Sequence, residues 1–87
     1  MTVAQREVFR RTVLLALDAN PGDRGLPPDT LLTYAKVRGF TRETKDQVDL
    51  ELEYLQDKGL VEPVKNIISP ELRAWRITLA GRNLLNE

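Results

Sequence analysis

The chain has 87 residues, no net charge, and neither cysteine nor histidine. With 41% hydrophobic and 30% charged residues it reads as one small soluble domain, residues 1–87, able to build a single modest core. These figures exclude a disulfide framework, thiolate metal sites and histidine-based acid–base chemistry, and they lack the basic surplus usual in a dedicated nucleic-acid binder.

The spacing predicts a first helix over residues 3–19, with Thr2 as N-cap and Gln5 completing a capping box. Phe9, Val13, Leu14 and Leu17 recur at helical spacing and form its buried face. Arg6, Arg10 and Arg11 sit on the other side. Residues 1–7 lead into this charged helix rather than into an apolar leader, and no apolar run approaches the roughly 20 residues that span a bilayer. Asn20-Pro21-Gly22-Asp23-Arg24-Gly25 is turn chemistry. Pro27-Pro28-Asp29 opens a second helix, because proline is tolerated in a first helical turn. Its inner face is Leu31, Leu32 and Ala35, with Tyr34 at the edge, and Gly39 stops it.

A third helix starts after Phe40, with Thr41 as the expected N-cap, and ends at Gly59. Val48, Leu52 and Leu55 form one apolar stripe, and Leu50 and Tyr54 form a second, offset one. Leu60 to Val64 reads as a short strand in which Pro63 demands an edge or a strand end. Residues 65–72 form the turn. Ala74 to Thr78 returns, with Trp75 and Ile77 on one face and Arg76 and Thr78 on the other. Thr78 then caps a last helix, Leu79 to Leu85. The fold class is α+β, mainly α, in the order α-α-α-β-β-α: a helix-turn-helix followed by a two-stranded hairpin.

Leu52-Glu53-Tyr54-Leu55-Gln56-Asp57-Lys58-Gly59-Leu60-Val61 resembles the end of the recognition helix in MarR- and PadR-type winged helix-turn-helix regulators. Trp75-Arg76-Ile77-Thr78-Leu79-Ala80-Gly81-Arg82, with its Thr-x-x-Gly piece, resembles their second wing strand turning into the last helix. A closer similarity is to small winged-helix proteins of Mu-like phages and prophages. It rests on Thr41-Arg42, Val48, Leu52, Tyr54, Leu55 and Gly59-Leu60-Val61, and spans roughly residues 9–85. The resemblance implies a DNA-binding, transcription-regulatory protein of phage or prophage origin, dimeric and cytoplasmic in a bacterial host. It implies no enzymatic activity, cofactor or metal. One departure stands out: where many relatives carry Arg after the third-helix valine, this chain has Asp49.

The candidate DNA contacts are Arg42 and Lys45 at the start of the third helix, flanked by Arg38 and Lys36, and Lys65, Asn66 and Arg73 of the wing. Charge complicates this. From Thr41 to Lys58, six acids face three bases, a net charge of −3. The face away from Val48 carries Arg42, Lys45, Asp46, Asp49 and Glu53, and carboxylates repel phosphate. That face is read as a solvated surface, a DNA contact or a protein contact. Residues 63–82 carry +3, but Ile67 and Ile68 interrupt the wing. They either fold back onto the core or, with Leu50 and Tyr54, form an interaction surface for a protein partner or a second copy. The alternative function is therefore a protein-interaction module, in phage assembly or as a host-factor adaptor, without DNA binding. Arg6 and Arg10 are read as solvated or as partners for third-helix acids, and Trp75 as core rather than a stacking platform. Asp46, Asp49 and Glu53 share a helix face but read as surface charge rather than a metal or acid–base site.

Overall fold

The computed structural model describes residues 2–20, 25–64 and 73–87. The elements are α1 (Val3–Ala19), α2 (Pro28–Val37), α3 (Lys45–Asp57), β1 (Val61–Val64), β2 (Ala74–Ile77) and α4 (Leu79–Leu85). The fold is α+β and mainly helical, with one two-stranded antiparallel sheet.

Local chemistry sets the boundaries. The Thr2 hydroxyl accepts from the Gln5 amide and the Gln5 side chain accepts from the Thr2 amide, the reciprocal box expected at the start of α1. Pro28 occupies the first turn of α2, where its missing N–H costs nothing. The start of α3 corrects the sequence-based expectation: the cap is Thr44, not Thr41. Thr44 is extended (φ −111°, ψ 168°) and its hydroxyl accepts from the Gln47 amide at 3.4 Å. Phe40 explains the delay. Its ring meets Phe9 edge-on at 5.1 Å, which ties the connection to α1 and leaves Thr41 and Arg42 in a turn ahead of the helix.

The core is Phe9, Val13, Leu14, Ala16 and Leu17 of α1, Leu31 and Ala35 of α2, Val48, Leu52 and Leu55 of α3, with Val61, Trp75 and Ile77 of the hairpin. Every apolar residue expected on the inner stripes of α1 and α3 is there. Leu32 and Tyr34 of α2 pack at its margin. Trp75 is core, as expected. Complete burial of a Leu or Phe is worth roughly 1.5–3 kcal/mol, so these stripes, not helix propensity, hold the helices.

The hairpin register sets Val61 opposite Ile77, Glu62 opposite Arg76 and Pro63 opposite Trp75. Glu62 and Arg76 form an ion pair on the exposed face. Leu60 and Thr78, expected within the strands, lie just outside them, although the Thr78 amide still donates to the Leu60 carbonyl at 3.0 Å. The Thr78 hydroxyl donates to the Gly59 carbonyl at 2.7 Å and accepts from the Gly81 amide at 3.1 Å, so one side chain fastens the end of α3 to the start of α4. Gly81 has to be glycine: a Cβ there would lie 2.3 Å from the Leu60 carbonyl oxygen. The expected turn at 65–72, with Lys65, Asn66, Ile67 and Ile68, lies outside the described residues.

One pairing was not foreseen. Leu26, between α1 and α2, forms an antiparallel bridge with Trp75: each amide donates to the other's carbonyl, at 2.8 and 2.9 Å. Gly25 makes this approach possible. Its φ is +65°, and a Cβ would lie 2.4 Å from the Trp75 carbonyl oxygen.

Candidate functional site

Three of the basic groups expected to meet DNA, Arg38, Arg42 and Lys45, follow one another in the chain where α2 hands over to α3. Arg38 caps the C-terminus of α2 and is exposed. Its Nη2 donates to the Tyr34 hydroxyl at 2.9 Å, and its guanidinium lies 5.1 Å from the centre of that ring. Tyr34 thus holds the arginine back along its own helix. Arg42 is exposed in the following turn and lines a cleft of about 450 Å³ with Gln5, Phe40 and Glu43. Lys45 is the first residue of α3 and is exposed. Arg73 is exposed immediately before β2. Lys65 and Asn66 lie outside the described residues, as do the interaction candidates Ile67 and Ile68.

Beyond this corner the outer face of α3 changes sign. Asp46, Leu50, Glu53 and Asp57 follow one another at four-, three- and four-residue steps and are all exposed, with Asp49 half-buried beside them. Leu50 is 53% exposed and Tyr54 40%. Among the described residues, no salt bridge engages any of these carboxylates. No group of three or more potential ligands that could hold a metal ion is found among the described residues.

The inner edge of α3 holds the feature that the sequence reading missed. Glu51 is a core residue, 1% exposed. Arg10 of α1 pairs with it through Nε, and Gln47 Nε2 donates to its other oxygen at 3.1 Å. The Arg10 guanidinium also lies 3.6 Å from the centre of the Tyr54 ring, and Lys58 Nζ lies 5.6 Å from the same ring. Of the two readings of the α1 arginines, pairing with a third-helix acid holds for Arg10, half-buried against Glu51, and the solvated one for exposed Arg6 and Arg11. A signal was present. Glu51 lies three residues after Val48 and four before Leu55, on the core stripe itself, where a carboxylate needs a buried partner. A second ion pair, Arg82 with Asp18 at 3.0 Å, ties α4 to α1.

No helix among the described residues is long and apolar enough to cross a membrane. Comparison with known protein families, with curated proteins and with solved structures finds no match.

Proposed function

We propose that the chain is a winged helix-turn-helix domain, of the type carried by Mu-like phages and prophages, that binds duplex DNA as a regulator. The observation that carries the reading is the exposed basic corner formed by Arg38, Arg42 and Lys45 at the N-terminal end of α3. That end of the second helix is the one a helix-turn-helix sets against base edges. The Leu26–Trp75 bridge supports the fold assignment, because it fastens the segment leading into α2 to the hairpin. Two backbone hydrogen bonds thereby join the start of the helix pair to the second strand of the hairpin.

The acidic outer face limits how DNA can dock. Glu53 and Asp57 repel phosphates along the later turns of α3, so contact is confined to its N-terminal end, where Asp46 stands next to Lys45, and to the hairpin, with Arg73 on the backbone. Fluorescence anisotropy with a mixed-sequence duplex tests this. Binding at low salt should fall steeply as salt rises. Arg42→Ala and Arg73→Ala should each weaken it and reduce the salt slope by about one. Absence of binding at low salt, or indifference to both substitutions, overturns the docking model.

A second reading is favoured by the same acidic face: a winged-helix module that binds a protein, in phage assembly or as a host-factor adaptor. Leu50 and Tyr54 stand exposed among the carboxylates, an apolar centre with a charged rim. It predicts no DNA affinity, and a complex lost on Leu50→Asp or Ile67→Asp with the fold retained.

A further inference from the structure

The first turn of α3 directs one side chain away from the core, and it is an acid. Val48 is fully buried, and Asp46 stands two residues before it, about 200° around the helix. Asp46 is exposed, and no salt bridge among the described residues engages it. Its neighbours differ. The Thr44 hydroxyl is occupied as the cap, accepting from the Gln47 amide at 3.4 Å. Gln47 is half-buried, and its Nε2 donates to Glu51 at 3.1 Å. Lys45 is exposed beside Asp46. One turn further along the outer face comes Leu50, apolar and 53% exposed. Asp46 and Leu50 are thus the side chains that a duplex lying on this end of α3 meets face-on.

We propose that Asp46 reads a cytosine in the major groove. The inference rests on the DNA reading above and names the class of sequence the domain selects: a C·G pair spanned by Asp46 and Lys45, with a thymine nearby for Leu50. An ionised carboxylate only accepts hydrogen bonds. In the major groove, guanine presents two acceptors, thymine an acceptor and a methyl group, and adenine an amino donor beside its N7 acceptor. Cytosine alone presents a donor, its N4 amino group, with no acceptor on the same base. The Lys45 ammonium suits O6 and N7 of the guanine in that pair. Leu50, an apolar side chain on the groove-facing side, has the C5 methyl group of thymine to cover. Adenine is not served, because Gln47, the residue type that reads it, is held by Glu51. The acid also sharpens selection in a chain of zero net charge. Asp46 repels phosphates wherever no cytosine amino group meets it. It therefore lowers affinity for random duplex and raises the ratio of specific to non-specific binding.

The test is selection of sites from a random duplex library by the full chain at low salt, followed by anisotropy on the recovered site. The wild-type protein should recover sites that share a fixed C·G pair. Asp46→Asn should recover adenine at that position, because a carboxamide pairs with N6 and N7 of adenine. Asp46→Ala should reduce the preference for the C·G pair by roughly five- to a hundredfold and bind random duplex more tightly than wild type does. Replacing the nearby thymine by uracil removes only its methyl group. That change should weaken wild type roughly fourfold and leave Leu50→Ala indifferent. Asp46 is exposed, so far-ultraviolet circular dichroism of its variants should be unchanged. A merely structural role for Asp46 does not alter which base is recovered. Sites without a fixed C·G pair, or the same base recovered by wild type and by Asp46→Asn, overturn the proposal and leave DNA binding in place. Failure to recover any duplex overturns the DNA reading and this inference together.

Discussion

Glu51 and Glu53 stand two residues apart on α3, yet one is 1% exposed and bridged to Arg10 and Gln47, while the other faces solvent with no ion pair among the described residues. Two positions on a helix are about 200° of rotation, enough to carry a side chain from one face to the other. The inner carboxylate has to be partnered, because an unpaired buried charge is costly. It therefore fixes how α1 lies on α3. The outer carboxylates are free of that duty, and their charge acts on whatever approaches. The same residue type thus serves as an internal strut on one face and as a filter on partners on the other. Charge counted along the sequence merges the two.

Substitutions can break or sharpen this contrast. The largest effect belongs to the apolar part of the inner face. Leu52 is fully buried, and Leu52→Ala should cost about 2–5 kcal/mol in urea unfolding through lost burial and the cavity left behind. Glu51→Ala should follow, at about 1–3 kcal/mol. Its Arg10 partner keeps 22% of its side chain exposed and can turn toward water, which holds the cost below that of a fully enclosed pair. A double-mutant cycle with Arg10→Ala should return a coupling of about 0.5–3 kcal/mol; additive losses would mean the pair is no strut. The cap comes next. Thr44→Ala should lower stability by about 1 kcal/mol and Thr41→Ala by less than about 0.5 kcal/mol, and the reverse order would restore the earlier helix start. Smallest is Glu53→Gln, which should shift unfolding by no more than about 0.5 kcal/mol. If it destabilises as much as Glu51→Ala, the outer face is structural after all.

Much of this fold can be read residue by residue. The capping box at Thr2 and Gln5, the Pro28 start of α2 and the Thr78 cap of α4 are local hydrogen-bond chemistry, complete within four residues. Thr44 escaped because Thr41 offers the same chemistry three residues earlier, and what chose between them is the Phe40–Phe9 contact, distant in sequence. Of the candidate site, Arg38, Arg42, Lys45 and Arg73 were legible as exposed bases from their place relative to the apolar stripes. For Arg10, pairing with a third-helix acid was one of two open readings, and its partner Glu51 was not named. That partner lies 41 residues away, and a helical wheel does not say which solvent-side arginine another helix will cover.

The sequence by itself determined the order of elements, the inner stripes of α1 and α3 and most helix ends, because periodicity and capping act over one or two turns. Only the tertiary structure decided that Leu26 bridges Trp75, that Gly25 and Gly81 admit no side chain, and that Arg10 closes over Glu51 and Tyr54. Each of these joins segments far apart in the chain. Their closeness follows from how the helices pack against the hairpin, a cooperative result of the whole core that no single stretch of sequence encodes.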